Sequence, residues 1–450
     1  MNGDDITARF ITHARWREFP KTVQEKAKMA LMDNLSATIS GTRAEVSRIA
    51  ARFTEQCMPG EEATLVLQGK KSTAAGAAFA NGCAANGLDT DDSARYAHGH
   101  AGAQLFPTVL AVSEARGLSG ERLLSGLVAG YEVAHRFGYC WHDDHDIYQA
   151  CGSWGSVACA AAAAHLMELS EDQVRHALGI ADYHAPNLPM MRDIAHPAMV
   201  KHGIGWAALT GIHAAELASF GFTGIPSLLS REKYAEWVKS IGEEFLMPEG
   251  VSWKAKQYAC CGWTHAAVEG AKKLYNNHSF RPEDIEKIEV ITFDQGAALG
   301  AELPETTEEA QFNMAWPVAA MLVDGEVGPE QTLEYRLSDE HIRELAGKVK
   351  ITESEELNRL RRLFDKGDPK GRFAGEVIIT LKDGSVLESG RMEGGLGFPQ
   401  DPPWSRADME EKFRWLVEPV AGPERTAELI DMVWRFDGLG SVQEFTSLLA

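Results

Sequence analysis

The chain has 450 residues and a formal charge of -21, with 44% hydrophobic and 24% charged residues. That negative balance repels nucleic-acid phosphates and anionic lipid headgroups, so neither is an expected partner, and the apolar fraction is that of a globular protein. The opening MNGDDITARFITHARWREFP lacks the apolar core of a signal peptide and no stretch reads as a membrane span, so a soluble, cytoplasmic protein is expected. Seven cysteines with no C-x-x-C spacing fit a reducing compartment and disfavour a thiolate metal or iron-sulfur site, which points to an enzyme with no cofactor.

Taken in chain order, KTVQEKAKMALMDNLSATISG has 3.6-residue apolar spacing and ends at Gly41. STAAGAAFANGCAANGL predicts a helix over about 72–88, rich in small residues that let neighbours approach closely. SGERLLSGLVAGYEVAHRFG runs from a Ser to Gly138, and LSEDQVRHALGIA opens with Ser170 and Gln173 at capping-box spacing. GWAALTGIHAAELASFGFTG is a further small-residue helix.

Beyond about residue 270 the texture changes. IEKIEVITF alternates like a half-buried strand, and GEVIITLKDGSVLESGRM reads as a hairpin turning at Asp383-Gly384. AQFNMAWPVAAMLVDG and SDEHIRELAGK supply helices between them, DPPW marks a boundary, and SRADMEEKFRWLV returns to helix with Ser405 and Asp408 at its start. The expected architecture is mainly α: a large all-helical domain built from both chain ends (1–270 with 403–450) plus a smaller α+β lid domain (271–402).

The densest chemistry lies in NGLDTDDSARYAHGHAGA, where Asp89, Asp91 and Asp92 precede His98 and His100. At the C-terminal end of a helix each carboxylate opposes the macrodipole, a local violation of the sort that gathers at functional sites. If the helix continues, Asp89, Asp92 and Ser93 share a face and His100 returns toward them, which is acid/base equipment. A solvated loop is the competing reading. A metal cage of Asp92, His98 and His100 is another, with H-x-H on an irregular loop as its only support. WHDDHD (141–146) reads more simply as a solvated loop, and without a G-x-S-x-G a nucleophilic triad is disfavoured.

Two lysines have informative contexts: Lys201 in MVKHGIGWAALTG and Lys256 in KQYACCGWTH, shortly before His265. An ammonium beside a substrate carboxylate neutralises its charge and eases removal of the neighbouring C–H proton.

Together GLDTDDS, GHAGAQLFPTVLAVSEARGLSG, GYEVAHRFG, ALGIA, KHGIGWAALTGIHAAELASFGFTG, KQYACCGWTH and AQFNMAWPVAAMLVDGEV resemble, in order and spacing, the MmgE/PrpD family, which includes 2-methylcitrate dehydratase, cis-aconitate decarboxylase and iminodisuccinate epimerase. The resemblance implies a homodimer and chemistry next to a carboxylate without metal or organic cofactor. Carried over by position, it implies catalytic roles for His100, Asp89, Ser93 and Lys256, and substrate contacts from Lys201, Gln149, His265, Trp316 and Asp92. Gln149 and Trp316 depart from the family pattern, standing where a histidine and a tyrosine are common, and Ala101 replaces the usual proline after His100.

The expected activity is therefore that of a lyase working alpha to a carboxylate of a small di- or tricarboxylate, foremost a 2-methylcitrate dehydratase-like hydro-lyase. Epimerisation, decarboxylation, a metal-dependent reaction and a non-catalytic ligand sensor are the alternatives.

Overall fold

The computed structural model describes residues 2–252, 257–365, 368, 370–394 and 404–450. Its architecture is mainly α, as the periodicity implies. Helices α1 (Lys21–Gly41), α2 (Ala74–Ala85), α3 (Gly102–Ala115), α4 (Gly120–Asp144), α5 (Cys151–Leu166), α6 (Glu171–Tyr183) and α7 (Ile204–Ser219) form one packed group. The composition of α5 explains its centrality: it is mostly Ala, Gly, Ser and Cys, and every residue of it is buried. A Cβ on Gly155 would sit 2.0 Å from the Gln104 side chain, so the glycine makes room for that amide of α3 as it lies. The helix starts are secured as the sequence implies, by reciprocal capping boxes at Ser170–Gln173 and Ser405–Asp408.

Buried apolar side chains gather into two large clusters. The first runs from Ala8 to Val251 and resumes from Met409 to Leu449, so α11 (Arg406–Trp434) packs on α1. The second is built mainly from Tyr258 to Ile379, and Ala150, Met190 and Ile194 reach into it from the helical part. It contains α8 (His265–Asn277), α9 (Ala315–Asp324) and α10 (Glu355–Asp365) around a sheet of strand order β2-β1-β3-β4. Here β1 is Ile285–Thr292, β2 Val349–Glu353, β3 Ala374–Leu381 and β4 Val386–Glu388; β1 pairs parallel with β2 and antiparallel with β3. The β3–β4 hairpin turns at Asp383-Gly384, with Gly384 at φ 87°.

Two local expectations are corrected. The helix expected over 72–88 stops at Ala85: the Asn86 amide turns to the carboxylates of Asp89 (3.3 Å) and Asp91 (2.8 Å), and Asp89 takes a left-handed φ of 56°. Asp89, Asp92 and Ser93 thus share no helical face. The first four residues of WHDDHD, Trp141 to Asp144, close α4 rather than forming a loop, with the His142 ring bonded to the Ala97 carbonyl (2.9 Å), and His145 and Asp146 follow outside the helix. Among the described residues no helix is long and apolar enough to cross a membrane.

Candidate active site

Six described non-glycine residues have positive φ, and four of them fall in two short segments: Asp89 (56°) and His98 (50°), then Lys201 (36°) and His202 (58°). Backbone held so costs of order 1 kcal/mol per residue and persists where the surroundings impose it, often at functional sites. Both segments line one cleft, with Asp89, Ser93, His100 and Cys151 on its helical side and Trp263, Arg361, Phe364 and Phe373 on the side of the sheet.

His100 is fixed from three directions. Its Nδ1 lies 2.7 Å from Asp91 Oδ2, its Nε2 3.6 Å from Asp89 Oδ1, and its backbone N–H donates to Cys151 Sγ at 3.1 Å. Asp91 is fully buried and accepts from the Asn86 amide through its other oxygen. A carboxylate at Nδ1 takes the N–H of the neutral ring and leaves Nε2 as the working nitrogen.

His202 repeats this arrangement from the other segment. Its Nδ1 lies 2.7 Å from Asp193 Oδ2, which also accepts the His202 backbone N–H at 2.9 Å. Burial alone would raise the Asp193 carboxyl, but these bonds outweigh it and hold the group below its ordinary value, so the carboxylate is ionised. The two imidazoles stack with centroids 5.4 Å apart and planes 20° apart, and the Phe312 ring closes the far edge of His202 at 5.2 Å.

The aspartate loop is braced from beneath by the C-terminal helix. Lys412 on α11 donates to the Thr90 carbonyl at 2.7 Å and to Asp33 on α1 at 2.5 Å, and burial pushes the Asp33 carboxyl up to about 7 against that ammonium. On the second segment, Lys201 is buried and donates to Gln311 Oε1 at 2.5 Å, its ammonium 5.1 Å from the Phe312 ring centre. Gln311 in turn donates to the Gly87 carbonyl at 3.0 Å, tying the sheet-bearing part to the aspartate loop.

The structure thus brings Asp89, Ser93 and His100 together at the cleft, with Lys201 behind His202. Lys256 lies outside the described residues. The other expected substrate contacts do not line this cleft. Asp92 is buried, accepting the Tyr131 hydroxyl proton and the Gly102 N–H (3.0 Å), so it serves the favourable N-terminal end of α3. Gln149 accepts the Leu188 N–H at 2.7 Å and pins the chain before Pro189. His265 bonds the Cys260 carbonyl at 3.1 Å, and Trp316, fully buried, donates to the Gln331 carbonyl at 2.8 Å.

The metal alternative of Asp92, His98 and His100 does not assemble, because His98 stacks on His142 (5.4 Å) and Asp92 faces Tyr131. Burial holds the His98 imidazole well below its usual value, with His142, Arg361 and Arg95 adding to the effect. Asp89, His100 and His202 do offer atoms within 4.8 Å of one another.

Sequence reasoning gave no role to His202, Asp193, Asp91 or Arg361. His202 adjoins Lys201 in MVKHG and Asp91 sits inside the aspartate motif, so both carried a local signal; Asp193 and Arg361 carried none, since only folding brings them to the cleft.

A cis-aconitate decarboxylase-like protein oryM of Aspergillus oryzae is 25% identical, with 98% of this chain and 96% of that protein covered. Cis-aconitate decarboxylase of Aspergillus terreus is 26% identical over 96% of this chain and 92% of its own, and the human enzyme of that name 28% over 95% and 90%. The MmgE/PrpD N-terminal domain matches residues 5–244 and the C-terminal domain residues 258–437, and the chain belongs to the MmgE/PrpD family.

Proposed function

We propose that the protein is a lyase that decarboxylates a small unsaturated tricarboxylate of the cis-aconitate type without a metal or organic cofactor. The observation that carries this reading is the pair of stacked imidazoles, His100 and His202, each braced at Nδ1 by a buried carboxylate over one cleft. The names of the relatives favour decarboxylation over the dehydration expected first from the sequence. The aromatic wall of Trp263, Phe364 and Phe373 adds to this, because a carboxylate that leaves as neutral CO₂ gains from poor solvation.

In the proposed step the C–C bond to the departing carboxylate breaks and its electron pair shifts through the adjacent double bond to the carbon alpha to a retained carboxylate. That carbon takes a proton from Nε2 of the His100 imidazolium, CO₂ departs, and solvent returns the proton to the ring. Asp91 holds the ring through Nδ1, while Asp89 faces Nε2 and Ser93 offers a hydroxyl at the cleft wall. His202 shares the stack, supplying a second N–H to a substrate oxygen, and the buried Lys201 ammonium adds positive potential behind it.

The test is a panel of unsaturated and hydroxylated tricarboxylates incubated with enzyme and a chelator, with CO₂ and products followed by mass spectrometry. Stoichiometric CO₂ from the unsaturated acid, lost in His100→Gln by about 10²-fold or more, is the expected result. Water loss without CO₂ from a hydroxy acid would make it a dehydratase instead, and a need for added metal would overturn the cofactor-free chemistry.

A further inference from the structure

Resting on the carboxylate reading of the cleft, we propose that Arg361 binds a retained carboxylate of the substrate, so that the sheet-bearing part of the molecule sets the requirement for a further acid group. Arg361 lies on α10 and lines the same cleft as His100, with only 6% of its side chain exposed. Its guanidinium carbon sits 4.7 Å from the ring centre of Phe373 and 5.7 Å from that of Phe364, two rings packed edge to face. The plane of the fork is therefore fixed before any ligand arrives.

What the fork lacks is acceptors. Nη1 donates to Asp365, whose own side chain is 38% exposed, and the buried Nε has no hydrogen-bond partner among the described residues. A guanidinium carries five donors and stays charged in proteins, so a buried one so thinly matched leaves desolvation cost uncompensated. Burial accordingly lowers its value to about 10, with Tyr148 and Asp294 opposing. The buried Arg136 also has an unpartnered Nε among the described residues, but unlike Arg361 it faces a wholly buried carboxylate, Glu132 (2.6 Å), and the Glu244 carbonyl (2.8 Å). A ligand carboxylate suits Arg361 because its two oxygens match two parallel N–H donors of one guanidinium edge.

The position divides the cleft by task. The braced imidazoles and a rigid cation on aromatic plates line the same cleft, where His142, Arg361 and Arg95 add to burial in holding the His98 imidazole well below its usual value. A substrate whose retained carboxylate reaches Arg361 is held in the cleft that His100 lines.

Calorimetric binding of propane-1,2,3-tricarboxylate, a saturated acid unable to undergo the allylic shift, tests this without turnover. Arg361→Gln is expected to weaken binding by about 10- to 100-fold and Arg361→Lys by less, because lysine keeps the charge and loses the fork. In the reaction, KM of the substrate rises in both variants while kcat changes by less than about fivefold, a split that a purely structural arginine does not produce. Affinity within twofold of wild type in both variants, or a fall in kcat at unchanged KM, would overturn the assignment. Wild-type protein that binds no tricarboxylate sinks this inference together with the carboxylate reading. Binding that depends on Arg361 with no turnover of any substrate sinks the decarboxylase reading alone.

Discussion

The rings of His100 and His202 stack at 5.4 Å although they belong to separate segments, and each has Nδ1 at 2.7 Å from a different aspartate. Such duplication gives the cleft two imidazoles of fixed orientation, each held through Nδ1, with Asp89 beside Nε2 of His100. Replacing His202 with Gln is expected to lower turnover by about 10²-fold or more, with unfolding by urea little changed. Turnover within fivefold of wild type would remove His202 from the chemistry.

Asp193 acts through His202 and so has a different signature. Asp193→Asn removes the carboxylate that fixes the His202 tautomer, so kcat should fall by about 10-fold, and the Asp193→Asn/His202→Gln double variant should be no slower than His202→Gln alone. Losses that multiply in the double variant would mean that Asp193 acts independently of His202.

The turn that carries His202 is seated on a glycine. A Cβ on Gly152 would stand 2.4 Å from the Gly203 carbonyl oxygen, a backbone atom that cannot swing aside. Gly152→Ala should therefore push the Lys201–Gly203 turn off α5, lowering both stability, by about 1–3 kcal/mol, and activity. Wild-type kinetics in this variant would show that the placement of His202 is not critical.

The brace beneath the aspartate loop makes a stability prediction. Lys412 and Asp33 are 4% and 0% exposed, so Lys412→Met strands a buried carboxyl and should cost about 3 kcal/mol in denaturant unfolding, most of it recovered by adding Asp33→Asn. Equal stability of the single and double variants would contradict the pairing.

Stability should also depend on pH through buried neutral histidines. Burial lowers His165 to about 4 against the opposing bond to the Ile11 carbonyl, and its unfolded value is about 6.5. Between these values the unfolded chain binds a proton that the folded one does not, so this stabilising contribution, complete above about 6.5, is lost as pH falls toward 4 and amounts to about 3 kcal/mol at most. The raised Asp33 and Asp182 carboxyls act in the opposite sense over part of the range, so the clean measurement is a difference. His165→Gln should lose less stability than wild type between pH 7 and pH 5; equal losses would contradict the assignment.

Much of this molecule was legible in the chain alone. The small-residue helices, the capping boxes at Ser170 and Ser405 and the hairpin at Asp383-Gly384 are local features, and local chemistry decides them. So did the motif holding Asp89, Ser93 and His100. What spacing could not give was the partner of each side chain. Asp91 rather than Asp89 braces Nδ1 of His100, because the loop leaves the helix at Asn86 and turns through a left-handed Asp89. Asp92, Gln149, His265 and Trp316 proved to satisfy buried backbone and side-chain groups, a need that family position does not reveal. Arg361 stayed hidden because nothing in RRLFD marks which arginine folds inward.

Proton NMR of the product formed from cis-aconitate in D₂O, with a chelator present, tests the central claim most directly. The expected result is one solvent deuterium at the carbon alpha to a retained carboxylate for each CO₂ released, and neither signal in His100→Gln. Product formed at the wild-type rate by His100→Gln, or CO₂ released with no deuterium delivered to that carbon, would contradict it.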